Sequence, residues 1–113
     1  MDMFNPSNMI KFKVNAKGEE SMYFDVKLVD KKISGMWMVT NPDPEVDPII
    51  SIFVEDPEKK IVFNKLKRSV GTFSFQTKMK GEHKFIFSNI RNKQDKNLLL
   101  SLYIEEEDIF EKQ

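Results

Sequence analysis

Apolar residues recur at alternate positions through most of the chain, most clearly from Gly71 to Asn89. There Phe73, Phe75 and Thr77 follow at period two, and a polar turn closes on Gly81. Phe85 and Phe87 then alternate with Lys84, Ile86 and Ser88. A strand repeats its side-chain direction every second residue, so each run carries one aromatic face. Two such runs joined by a short Gly-containing polar segment predict an antiparallel hairpin, expected at the centre of the core.

The same period marks strands on either side. Ile10, Phe12 and Val14 alternate with Lys11, Lys13 and Asn15 before the turn NAKGEE. Met22, Phe24, Val26 and Leu28 make a second strand, and ISGMWMVT a third, where Gly35 marks a bulge or a close backbone approach. NPDPEVDP, with three prolines and three acids, is a loop. IISIFVE is a continuous apolar run suited to a strand buried on both faces, and IVFNKL follows after the turn DPEKK. A polar connection, IRNKQDKN, leads to the last strand, LLLSLYIEEE. The Glu-rich stretch from Glu106 is the one place where a helix is expected to start.

Short strands at this spacing, with no amphipathic helix between them, predict an all-β chain: an antiparallel β-sandwich of about eight strands. The expected organisation is an N-terminal tail over residues 1–8, a sandwich over 9–105 and an acidic tail over 106–113. At 113 residues the chain holds one sizeable core rather than two. The amino end, MDMFNPSNMI, lacks the basic start and apolar run of a signal peptide, and no apolar stretch is long enough to span a bilayer as a helix.

Chemistry-bearing residues are few. With no cysteine and one histidine, the chain has no disulfide, thiolate metal site, cysteine nucleophile or multi-histidine site. No nucleophile elbow or Gly-rich phosphate loop occurs, so neither a catalytic centre nor a cofactor is expected. His83 reads as a half-buried residue at a strand end. The carboxylates of Asp43, Glu45 and Asp47, and of Glu105 to Asp108, read as solvated charge rather than a calcium or acid–base site.

Net charge is zero, with 18 basic and 18 acidic residues, so nothing global points to nucleic acid. The order of charges is uneven. Residues 41 to 58 hold six acids and no base, whereas residues 59 to 96 hold eleven bases and two acids. Lys59, Lys60, Lys65, Lys67 and Arg68 lead that basic segment. Placed in turns at one end of a sandwich, they would meet anionic lipid or an acidic protein; the plainer reading is solvated turn lysines. Trp37, between Met36 and Met38, is a further candidate for an exposed binding ridge, although alternation sets it with Gly35 and Val39.

The motifs MYFDV, KISG and FVEDPEKKIVF, then G-x-F-x-F-x-T and F-x-F-x-N, occur in that order over about residues 9 to 105. Together they resemble the GOLD (Golgi dynamics) domain, especially the lumenal head of TMED-type cargo receptors cycling between ER and Golgi. The signature then falls on Met22, Phe24, Gly71, Phe73, Phe75, Gly81, Phe85, Ile86, Phe87 and Asn89. The resemblance implies a jelly-roll-like sandwich without catalytic activity that recognises cargo or partner proteins in vesicular transport. It also implies two paired cysteines, at positions that here look like Met22 and Ile86, expected to touch without a bond. Because disulfides are rare in cytosol, their absence, with no signal peptide, favours the cytosolic side of the ER–Golgi system. The alternatives are a soluble adaptor binding anionic membrane or an acidic protein, a structural subunit assembling through strand edges, and a sugar-binding sandwich.

Overall fold

The computed structural model describes residues 9–40 and 50–105. Eight strands follow in order: β1 (Met9–Val14), β2 (Glu19–Val26), β3 (Lys32–Val39), β4 (Ile50–Glu55), β5 (Ile61–Arg68), β6 (Val70–Gln76), β7 (Gly81–Ser88) and β8 (Lys96–Glu105). They form two four-stranded antiparallel sheets, ordered β1-β8-β3-β6 and β2-β7-β4-β5. This is the jelly-roll order, in which most connections cross from one sheet to the other. Only β4 and β5 are both consecutive in the chain and paired. The expected helix start at Glu106 and the acidic loop of Asp43, Glu45 and Asp47 lie outside the described residues.

The core fills the space between the sheets, where Val14, Ile33, Trp37, Ile52, Val54, Phe87, Leu98 and Leu100 are almost wholly buried. Phe12, Met22, Phe24, Phe63, Phe75 and Leu102 pack against it as partly buried residues. At about 25 cal/mol per Å² of apolar area removed from water, this two-layer burial is the main stabilising term.

The predicted central hairpin is corrected. β6 pairs with β3, and β7 with β2 and β4, so the two phenylalanine runs belong to opposite sheets. Their aromatic faces meet across the core instead. Phe73 and Phe85 stand edge to face with centroids 5.6 Å apart, and Phe75 lies 6.2 Å from Phe85. An arch and a hairpin present the same local period, so alternation alone does not choose between them.

Three further expectations change. β2 ends at Val26, leaving Leu28 55% exposed in the turn. β4 buries Ile50, Ile52 and Val54 but only half-covers Ser51, Phe53 and Glu55, so it has one core face and not two. His83 is buried, not half-buried, with Nδ1 3.1 Å from the Gly81 carbonyl oxygen.

Candidate interaction surface

The signature residues are mostly structural supports. Gly71 stands opposite Trp37, and an added β-carbon would lie 2.4 Å from the indole Cη2. Gly35 stands opposite Phe73 in the same strand pair, and its β-carbon would meet the Ser101 carbonyl oxygen of β8 first and lie 2.6 Å from Phe73 Cζ. Each aromatic ring thus covers the glycine across the ladder. Gly81 adopts φ of 124°, a conformation that side chains disfavour, under Pro57.

Asn89 is fully buried and ties two turns together. Its Nδ2 lies 3.2 Å from the Val14 carbonyl oxygen, 3.1 Å from that of Asn15 and 2.8 Å from that of Gln94. Its Oδ1 accepts from Asn92 Nδ2, and its backbone N–H donates to the Gly18 carbonyl at 2.8 Å. Thr77 does the same work at the opposite end of the sandwich. Its hydroxyl accepts from the Lys31 N–H at 3.1 Å and lies 3.1 Å from the Leu28 carbonyl oxygen.

Met22 and Ile86 do not touch as expected. Met22 lies opposite Phe85 on the core side, whereas Ile86 lies opposite Ser21 on β2 and Phe53 on β4. Adjacent strand residues point to opposite faces, so Met22 and Ile86 are on different sides of their sheet. The β2 partner of Ile86 is Ser21.

The candidate surface divides. Trp37 is 0% exposed, enclosed between the sheets, and is withdrawn as an exposed ridge. Its Nε1 has no hydrogen-bond partner among the described residues. Lys96, counted with the basic segment, is likewise buried, as its β8 position faces Val14. Lys59 and Lys60 sit in the β4–β5 turn, where Asp56 Oδ1 accepts the N–H groups of Glu58 and Lys60 at 2.9 Å each. Lys65, Lys67 and Arg68 are on β5 itself. An eight-residue strand spans roughly 26 Å, so Lys65 and Arg68 lie along the edge while Lys59 and Lys60 stand in the turn before it.

Pairing sets the direction of the β5 residues. Phe63 and Lys65 stand opposite the buried Val54 and Ile52, and Arg68 stands opposite Ile50. Phe63 therefore reaches the core, 5.9 Å from Phe73, while Lys65 and Arg68 lie exposed on the inner side of the same edge. Leu66, 55% exposed, lines a cleft of about 530 Å³ with Phe53 and Ile90, rimmed by Glu19, Arg91 and Ser88. Sequence reading missed this cleft. Ile90 was visible only as one apolar residue in a polar connection, and Leu66 as a strand residue of unknown face.

A family model described as emp24/gp25L/p24 family/GOLD matches residues 9–113. A search of curated proteins found no match. Among solved structures, the chain resembles the pre-peptidase C-terminal domain of a Bacillus anthracis collagenase. The TM-score is 0.66 at 12% identity, covering 84% of this chain and 87% of that one. The Yersinia pseudotuberculosis-derived mitogen aligns with TM-score 0.65 at 8% identity, over 87% and 85% of the two chains. PliG, a periplasmic inhibitor of g-type lysozyme from Aeromonas hydrophila, gives 0.65 at 8% identity over 86% and 84%. These likenesses concern the fold alone.

Proposed function

The chain belongs to the emp24/gp25L/p24 (GOLD) family, and on that premise we propose that it is a non-catalytic protein-interaction module of ER–Golgi transport. Its partner is a cargo or adaptor protein. The family match over residues 9–113 carries this reading. The sandwich over 9–105 is the interacting unit.

Two alternatives lose their footing. Self-assembly through β5 would set Lys65 and Arg68 against their own copies, and facing like charges destabilise a strand pair. A sugar platform built on Trp37 has no exposed ring. The cysteine-free composition does not choose a compartment, because the cross-strand pair Ser21–Ile86 needs no bond to keep its register.

Depletion of the protein tests the reading. Transit of a secretory reporter from ER to Golgi should slow, and the tagged chain should fractionate with ER–Golgi membranes. Unchanged transit together with a distribution away from those membranes would sink it. Protease protection of the tag on sealed microsomes would give the side.

A further inference from the structure

Among the described residues β5 is the last strand of its sheet and pairs with β4 alone. Such an edge leaves every second backbone N–H and C=O free to pair with another extended chain. Exposed apolar side chains mark this edge: Ile61, Val62 and Leu66. The adjoining cleft shares Leu66 as a wall and has the volume of an ordinary side-chain or small-ligand pocket. Lys65 and Arg68 stand exposed on the opposite side of the same strand.

We propose that the β5 edge binds an extended segment of a partner protein in which apolar and acidic residues alternate, adding it as a fifth strand to the β2-β7-β4-β5 sheet. The proposal rests on the reading above that this domain engages partner proteins, and names the surface and the chemistry of the partner. Successive residues of an added strand point to opposite faces. Those on the outer face meet Leu66 and the cleft beside Phe53, where an apolar side chain is wanted. Those on the inner side meet Lys65 and Arg68, where a carboxylate is wanted. Main-chain pairing then supplies affinity and the alternating pockets supply selectivity.

Charge also decides against a second copy as the occupant. An inward-pointing lysine on an edge strand is a device that blocks pairing between like chains. The same lysine admits a strand of opposite charge. The other edges differ: β2 carries Glu19, Glu20 and Asp25, on β1 the ammonium of Lys13 is 3.7 Å from the Asp95 carboxylate, and β6 carries no charged residue.

The test uses the 113-residue chain and a fluorescent, acetylated nonapeptide alternating glutamate with leucine, read by anisotropy and amide hydrogen exchange. Binding should weaken with salt and slow exchange at residues 61–68. It should fall at least tenfold for Lys65→Glu/Arg68→Glu and several-fold for Leu66→Ser. Peptides N-methylated at alternate residues should lose binding in one phase and retain it in the other. A lysine–leucine peptide should not bind. Protection on β1, β2 or β6, equal binding by both N-methylated phases, or affinity unchanged by Lys65→Glu/Arg68→Glu would overturn the site. So would phosphatidylserine vesicles binding through Lys65 and Arg68 when the peptide does not, since the edge would then contact membrane. Peptide capture on β5 without a transport defect on depletion would overturn the transport reading and leave the site. A defect fully rescued by the Lys65→Glu/Arg68→Glu chain would do the reverse.

Discussion

Trp37 on β3 lies directly over Gly71 on β6, with its ring edge in the space that a β-carbon of residue 71 would occupy. The second pair, Phe73 over Gly35, repeats the arrangement in the same ladder with the strands exchanged. Large rings at the centre of the core thereby reach close to the backbone of the neighbouring strand.

Gly71→Ala should therefore overpack the core. Forcing a methyl into a filled site costs about 1–3 kcal/mol. Urea unfolding, followed by far-UV circular dichroism so that the same probe serves every variant, measures it. In the Trp37→Phe background the cost should shrink, because contacting residues couple in a double-mutant cycle. Equal costs in both backgrounds would show that the indole is not what the methyl meets.

The Ser21–Ile86 pair makes a sharper statement about register. Directly opposed residues of antiparallel strands have Cα atoms about 4.5–5.5 Å apart, within the range a disulfide accepts. Ser21→Cys/Ile86→Cys should oxidise in air and raise stability, with about 4 kcal/mol as the chain-entropy upper guide. Met22→Cys/Ile86→Cys should stay reduced, because those side chains leave opposite faces of the sheet. Bridging of the second variant and not the first would refute the register.

Asn89→Ala should remove the tie between the β1–β2 and β7–β8 turns and leave the buried Val14 carbonyl, with the part-buried carbonyls of Asn15 and Gln94, without their donor. The unsatisfied buried group makes this worth about 1–3 kcal/mol. Hydrogen exchange should quicken first at residues 15–18 and 89–95. Uniform quickening across both sheets would contradict a local role.

The β6–β7 arch is open to direct observation. NMR should show backbone contacts across Phe73–Gly35 and Phe85–Met22. Backbone contacts between Phe75 and Glu82, as a hairpin would give, should be missing, and their presence would return the two strands to one sheet.

Lys65 and Arg68 can be tested as guards of the edge without any partner. Replacing both by valine should let β5 strands pair, seen as concentration-dependent self-association in sedimentation velocity. A variant monomeric at every concentration would mean that some other feature protects the edge.

Alternation along the chain determined the eight strands, their turns and most of the inward-facing residues, because period two is a local property of extended backbone. Phe73, Phe85 and Phe87 are buried for that reason, and the basic run from Lys59 to Arg68 was equally plain. Tertiary structure decided which strands share a sheet. The bonds that turn β6 away from β7 run from Thr77 to Leu28 and Lys31, residues more than forty positions distant. No local period encodes a contact of that separation. It decided also that Trp37 faces inward, since a strand has two equivalent faces until a second sheet covers one. The direction of Lys65, and the cleft beside Leu66, depend on register shifts between β4 and β5 at Ile50/Ile52 and Val54/Glu55. A one-residue shift exchanges the faces of a strand, so the chemistry of that edge became readable only once its pairing was known.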